Sequence, residues 1–323
     1  MAKHPSLETV VERVRTDVIG GAADTAKEII IALNDVVQAS EATDAATLLD
    51  EIGSAVIDIL RVMPSLAPPI NALHRLLGRA EAALAEGISV TELKAEIASA
   101  ASDFMNWAEI ALQKIAQYGA EKVNNGDVVF MYSMSSTVWR ILRAAKAQGK
   151  LFSVIVTESR PANEGLWTVT EMHKLNIPVS VSIDSCIGEL VPESDVVFVG
   201  VDAISSNGFA LCKVGTYPTA LVAKVHGVPF YAAADTLKFD SSTLLGLPYR
   251  IDPIHRHEVL DDSYPTEAKV VGRIFDETPP ELITALITEM GILSPTAGVS
   301  VMWQMKLSER LNALLPRWVR GTI

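Results

Sequence analysis

Residues 196–216 read VVFVGVDAISSNGFALCKVGT, and this stretch decides the fold. Val196 to Val199 is a short, fully apolar, β-branched run, the pattern of a strand covered on both faces. The run delivers one carboxylate, Asp202, followed by the loop Ser205-Ser206-Asn207-Gly208, then Lys213 and the helix start Gly215-Thr216. An acid at a strand end, a glycine-hinged polar loop, a cation and a helix N-terminus together suit a small phosphorylated molecule.

Working outward, similar short runs rich in β-branched and apolar residues recur at 128–132, 152–156, 179–183 and 228–232 and are read as further strands of the same sheet. The stretches between them, 137–147, 166–175 and 216–226, are long enough for crossover helices. The segment therefore reads as a doubly wound α/β domain with a parallel sheet. In such sheets ligands sit beyond the carboxyl ends of strands, where strand order reverses. That rule selects Ser133 to Thr137, Glu158 to Pro161, Asp184, Asp202 and Asp235. Gly-x-Gly-x-x-Gly does not follow the first strand, so no nicotinamide dinucleotide, and no other cofactor, is expected.

Upstream, from Leu7 to about Gly119, apolar residues recur at helical spacing, as in Ile29, Ile30, Leu33, Val36, Val37 and in Leu48, Leu49, Ile52, Val56, Ile59. Thr43 or Asp44 is placed to cap the second of these helices, Pro64 with Pro68 and Pro69 to end it, and Ser89 or Thr91 to open a long helix through Ile115. The turn Asn124-Asn125-Gly126-Asp127 marks the boundary. The expected organisation is a helical N-terminal domain, residues 1–123, and a ligand-binding α/β domain, residues 124–323.

With 323 residues, the chain is longer than one core usually serves. A formal net charge of −12 opposes the positive field that nucleic acids and anionic membranes require, so neither is expected as a direct partner. Cys186 and Cys212 are too few for a disulfide framework, and the start MAKHPSLETV has no apolar secretory core. Each apolar run is interrupted by charge before the roughly 18 residues that a bilayer span needs. A cytoplasmic location is expected.

Individual residues carry chemistry and have structural alternatives. Ser133-Met134-Ser135-Ser136-Thr137 gathers hydroxyls and free N–H groups at a helix start, which either hold a phosphate or simply cap the helix. Asp202, shielded by its strand, would have a raised pKa and act as acid or base, or else cap the loop through Asn207. Lys213 either pairs with Asp202 or holds a phosphate. Cys212 beside Lys213 would have a lowered thiol pKa, or is a small apolar filler. Arg160 held by Glu158 is either a structural ion pair or a fork for an anionic ligand. His255 and His257, without a Cys or Glu cluster nearby, do not indicate a metal.

Taken together, VTESRP at 156–161, Asp184-Ser185, VGVDAISSNG at 199–208, KVGTYPTALVAK at 213–224 and PFYAAADTLKF at 229–239 resemble the translation initiation factor 2B alpha/beta/delta family. That family also contains ribose-1,5-bisphosphate isomerase and methylthioribose-1-phosphate isomerase. The resemblance implies a helical domain on a Rossmann-like one, paired as a homodimer through the latter and sometimes built into hexamers. In the isomerases a Cys after the first strand and an Asp at a later strand end form the acid/base pair. Here the Asp matches Asp202 and the Cys matches Ser133.

A serine without an activating base stays protonated at neutral pH, so Ser133 substitutes poorly for a thiol. The family's Arg-Gly-Ala phosphate motif is matched by Gly20-Gly21-Ala22, its Arg-Pro by Met63-Pro64, and its Asn-Lys by Cys212-Lys213. Each lost arginine removes a charge-assisted contact worth about 1.5–3 kcal/mol.

The leading expectation is a family member that binds a sugar phosphate or nucleoside monophosphate at Ser133, Ser135, Ser136, Asp202, Asn207 and Lys213, with Arg160, Gly20 and Gly21 as further ligand contacts. The alternatives are an aldose–ketose isomerase with Asp202 as acid/base and Ser133 or Cys212 in the thiol's place, and a structural or regulatory subunit with a vestigial pocket.

Overall fold

The computed structural model describes residues 4–16, 21–63, 66–247, 249, 251–265, 267–320 and 322. The chain divides into two compact units, Met1–Glu109 with Phe239–Arg250 and Met302–Ile323, and Ile110–Lys238 with Ile251–Val301.

The first unit is helical. It holds α1 (Pro5–Arg15), α2 (Ala22–Ala39), α3 (Ala45–Val62), α4 (Ala67–Ala85) and the first part of α5 (Val90–Ala120). The apolar spacing of α2 and α3 turns Ile29, Ile30, Leu33, Leu48, Leu49, Ile52 and Ile59 inward, where each is essentially inaccessible. Asp44 caps α3, its Oδ1 accepting the Thr47 N–H at 2.9 Å. Ser89 opens α5 in a capping box, accepting from Glu92 N while Glu92 Oε2 accepts from Ser89 N. The prolines act differently from expectation. Pro68 and Pro69 do not end α3, which stops at Val62, but lie in the first turn of α4, where their missing N–H groups are not needed. Pro64 lies outside the described residues.

The second unit is built on β1 (Val128–Tyr132), α6 (Ser136–Ala147), β2 (Ser153–Thr157), α7 (Gly165–Lys174), β3 (Val179–Ser182), α8 (Ile187–Leu190), β4 (Val196–Gly200), β5 (Ala203–Ile204), β6 (Ala210–Lys213), α9 (Thr216–His226) and β7 (Phe230–Ala233). It continues through β8 (Phe275–Thr278), β9 (Ala285–Thr288) and β10 (Gly291–Leu293). The remaining helices are α10 (Gly298–Met302), at the junction of the units in sequence, and α11 (Glu309–Val319) in the first unit. Among the described residues a seven-stranded sheet has the order β10-β9-β7-β4-β1-β2-β3. Every neighbouring pair is parallel except β9 with β10.

The five strands and three crossover helices expected from the pattern are all present within a residue or two. From β1 the chain steps outward to β2 and β3, then returns to the other side of β1 as β4 and proceeds to β7. Strand order therefore reverses between β1 and β4, whose register pairs Phe130 with Val197 and Tyr132 with Val199. The fold is α/β and doubly wound, as expected.

Two features differ from the sequence reading. Among the described residues β3 is an edge strand, and Val181 within it and Ile183 just after it are 52% and 53% exposed. The residues on either side of the Ser205–Gly208 loop, for which no strand was expected, form β5 and β6 of a small antiparallel sheet completed by β8. The third strand comes from more than 60 residues downstream, so no local pattern announces it.

Candidate functional site

Ser133 and Ser159 follow β1 and β2, and both hold the left-handed backbone conformation, with φ of 62° and 58°. Non-glycine residues rarely adopt it, and the surroundings must compensate. Here the two hold each other, Ser133 N donating to Ser159 Oγ at 2.9 Å. Ser159 is in turn fixed by Asp184, whose Oδ1 and Oδ2 accept the N–H groups of Ser159 and Arg160 at 2.9 and 2.8 Å. This aims Ser133 Oγ in one direction, and it donates to Glu164 Oε2 at 2.7 Å.

Glu164 sits at the N-cap of α7 but makes no capping bond with its side chain. An acid at a helix start normally turns back to the free N–H groups. This one reaches outward, to Ser133 with one oxygen and to Lys213 Nζ with the other, at 2.9 Å. Gly165 permits the placement, because a Cβ there would lie 1.8 Å from the Thr157 carbonyl oxygen. Thr168 on α7 adds a bond to Ser133 O at 3.4 Å. Lys213, at the end of β6, also lies 4.7 Å over the Phe275 ring. Both Glu164 and Lys213 are largely buried, 19% and 12% exposed at their side chains. The hydroxyl that sequence reasoning left without a base thus has a carboxylate acceptor. Likewise, the direct partner of Lys213 is Glu164 and not Asp202.

Asp202 lies in the short connection between β4 and β5, with its N–H donated to Leu211 O at 2.9 Å. Burial pushes its carboxyl above the usual range; the Lys238 and Lys213 ammoniums oppose the rise, and the Glu164 carboxylate adds to it. The expected raised pKa is therefore present, and Asp202 shares an electrostatic neighbourhood with Glu164, Lys213 and Lys238. Of the two readings of Cys212, the structure supports the apolar filler. Burial and the nearby Asp202 and Asp276 carboxylates hold its thiol well above the ordinary value, and Lys238 offsets this only in part. It is a buried apolar filler, not a thiolate.

The start of α9 is filled from within the protein. Asp276 on β8 accepts from Gly215 N at 2.7 Å and from Tyr217 N at 3.1 Å. Burial lifts its pKa to about 6 against the lowering effect of those N–H groups. Tyr132 Oη donates to Val214 O at 2.8 Å beside this turn, and burial together with Asp184, Asp276, Glu164 and Glu158 keeps its hydroxyl protonated.

Of the remaining expected residues, Ser135 caps α6, its Oγ accepting the Val138 N–H at 3.3 Å, and Ser136 is exposed in the first turn. Asn207 is exposed at the tip of its loop, its side-chain oxygen accepting from Ser205 Oγ. Arg160 is exposed, and its guanidinium donates to Glu258 O at 2.6 Å instead of pairing with Glu158 as expected. Gly21 caps α2 in the first unit, and Gly20 lies outside the described residues. His255 and His257 stack with ring centroids 5.7 Å apart. Among the described residues no group of three or more His, Cys, Asp or Glu is arranged to hold a metal ion.

Three residues of this neighbourhood escaped sequence reasoning. Glu164 was legible only as a helix-start acid, in Asn163-Glu164-Gly165 just beyond the quoted VTESRP. Lys238 is in the quoted PFYAAADTLKF but carries no spacing signal. Asp276 arrives from a distant strand.

A doubly wound sheet with hydroxyl, acid and cation near its switch point makes this an α/β protein of the Rossmann-like kind. The chain belongs to the initiation factor 2 subunit family, whose model matches residues 18–295. It is 32% identical to a ribose 1,5-bisphosphate isomerase of Thermococcus kodakarensis, over 93% of this chain and 96% of that one. It is also 32% identical to one of Archaeoglobus fulgidus, over 93% and 92%. The structure of the translation initiation factor eIF-2B of Pyrococcus horikoshii OT3 superposes with a TM-score of 0.75 at 28% identity, covering 92% of this chain and all of that one. Among the described residues no helix is long and apolar enough to cross a membrane.

Proposed function

We propose that residues 124–323 bind a phosphorylated sugar over the carboxyl ends of β1 and β4 and interconvert its aldose and ketose forms, with Asp202 as an acid/base. The observation that carries this reading is the Asp202 carboxyl, raised by burial beside two lysines at the point where strand order reverses. A carboxyl raised above its usual range is better suited to donate a proton and take one back, which an aldose–ketose conversion requires. Lys213 and Lys238 supply positive charge for a phosphate. The similarity to ribose 1,5-bisphosphate isomerases over nearly the whole chain supports the substrate class.

The test is to incubate the purified protein with ribose 1,5-bisphosphate and a panel of aldose 1-phosphates and to follow ketose formation by NMR. Turnover is expected for wild type and its loss, with an unchanged melting temperature, for Asp202→Asn. No conversion of any member by wild type overturns the isomerase reading.

A second reading is favoured by Ser133, a hydroxyl at the position to which the resemblance assigns a thiol. The protein would then hold a sugar phosphate or nucleoside monophosphate without converting it, as a regulatory family member. Calorimetric binding with zero turnover selects this reading over the first.

A further inference from the structure

We infer that the Ser133 hydroxyl and the Glu164 carboxylate behind it form the second proton-transfer arm of the site, at the position to which the resemblance assigns a thiol; this rests on the isomerase reading above. The geometry is specific. Ser133 Oγ is aimed by two left-handed residues, buried, and bonded at 2.7 Å to Glu164 Oε2. The other Glu164 oxygen is engaged by Lys213 at 2.9 Å. Glu164 spends nothing on its own helix, since its side chain makes no cap. A carboxylate withheld from the α7 N-terminus, and instead pointed at a serine on the switch-point strand, has the arrangement of a base behind a hydroxyl.

The step balances without any further reagent. In the opened sugar, Ser133 Oγ takes the proton from C2 as its own proton passes to Glu164 Oε2, and the C–H electron pair forms the C1=C2 bond of an enol phosphate. Asp202, having given its proton to the ring oxygen as the C1–O bond broke, then takes the C2 hydroxyl proton as C2=O forms. The double-bond electrons collect a proton at C1 from Ser133, which is refilled from Glu164. One carbon-bound proton has moved from C2 to C1, and every protein group has returned to its starting form. A substrate phosphate that draws Lys213 away leaves Glu164 without its counter-charge when the proton arrives.

Glu164 acts through Ser133, so the experiment needs readouts that a purely structural residue would not move. Wild type, Glu164→Gln, Ser133→Ala and the double variant Ser133→Cys/Glu164→Gln are compared with ribose 1,5-bisphosphate, or with whichever aldose 1-phosphate of the panel wild type converts. Turnover, calorimetric affinity and deuterium wash-in at product C1 from heavy water are measured. Glu164→Gln and Ser133→Ala are each expected to lose 100-fold or more in kcat, a typical contribution of one proton-transfer group at roughly 10²–10⁴. Affinity should change by less than about tenfold. The double variant should regain at least about tenfold over Glu164→Gln, because a thiol needs no carboxylate behind it.

Wild-type turnover that survives in Glu164→Gln or Ser133→Ala within threefold overturns the inference and leaves the Asp202 reading standing. Failure of the thiol to rescue also overturns it, by making Glu164 a structural support. Should Glu164→Gln not fold, Ser133→Ala, which keeps the Glu164–Lys213 pair, decides. If wild type converts none of the sugars, both the reading and the inference fall, a result distinct from either of the others.

Discussion

Asp276 Oδ2 accepts the Gly215 N–H at 2.7 Å, so the N-terminus of α9 already carries an anion of its own. The Gly-Thr start that looked available for phosphate is occupied by a carboxylate, and a ligand phosphate entering there must displace it. The raised pKa, about 6, has a consequence for stability. An unfolded aspartate titrates near 4. Between about pH 4 and 6 the folded protein holds more protons than the unfolded one, so this group's contribution is full below pH 4 and is lost as pH rises through 6. Asp276→Asn should remove the dependence. Melting temperatures of wild type and variant, measured from pH 4 to 7, should diverge across that window, with wild type falling relative to the variant. Parallel curves would contradict the assignment.

Gly165 controls the geometry of the proton-transfer arm. A Cβ there would lie 1.8 Å from Thr157 O, a backbone atom with no freedom to move aside. Gly165→Ala should therefore cost roughly 2–4 kcal/mol of stability and swing Glu164 away from Ser133. Urea unfolding gives the first quantity. The second appears as a drop in turnover at temperatures where the variant is still folded; full turnover in folded Gly165→Ala would argue that Glu164 need not sit where it does.

The doubly wound sheet was legible because parallel strands covered on both faces leave uninterrupted apolar runs, as in Val128–Tyr132 and Val196–Gly200. The switch-point rule then singles out Ser133 and Asp202 as residues to examine without any knowledge of contacts. What it could not find was partnership. Glu164 looks like a capping acid, and only the tight approach of Gly165 to Thr157 turns it toward Ser133. Asp276 reaches Gly215 through pairing of β6 with β8 across some 60 residues, and the two-residue β5 is too short to register as a pattern. For Cys212, adjacency to Lys213 in sequence is no guide to electrostatic support. In a strand consecutive side chains point to opposite faces, and burial, with the Asp202 and Asp276 carboxylates adding to it, raises the thiol instead.

The two cysteines should differ sharply in reactivity. Cys186 is partly exposed, whereas Cys212 is buried with its thiol held protonated. Alkylation attacks the thiolate. Native protein treated with iodoacetamide at pH 8 should therefore take up label at Cys186 within minutes and at Cys212 only after unfolding, as read by peptide mass spectrometry. Equal labelling of both in the native state would place Cys212 in a different environment.

The lysines around Asp202 can be separated by their effect on its titration. Burial raises the carboxyl, and of the two cations opposing the rise Lys238 acts more strongly than Lys213. Lys238→Met and Lys213→Met should each move the Asp202 titration to higher pH, the former further. Lys213→Met has a second effect, because it also leaves the Glu164 carboxylate without its ion-pair partner, and that carboxylate itself pushes Asp202 upward. Carbon-13 NMR of protein labelled at aspartate carboxyls, with Asp202→Asn to assign the resonance, measures both shifts. If the isomerase reading holds, Asp202 must start protonated, so the alkaline limb of the pH–rate profile should move with the resonance in the same order. Turnover at neutral pH should fall at least about tenfold in Lys213→Met, since the phosphate loses its nearest cation at the same site. A titration that stays in place when either lysine is removed would mean that solvent, not these ammonium groups, sets the charge on Asp202.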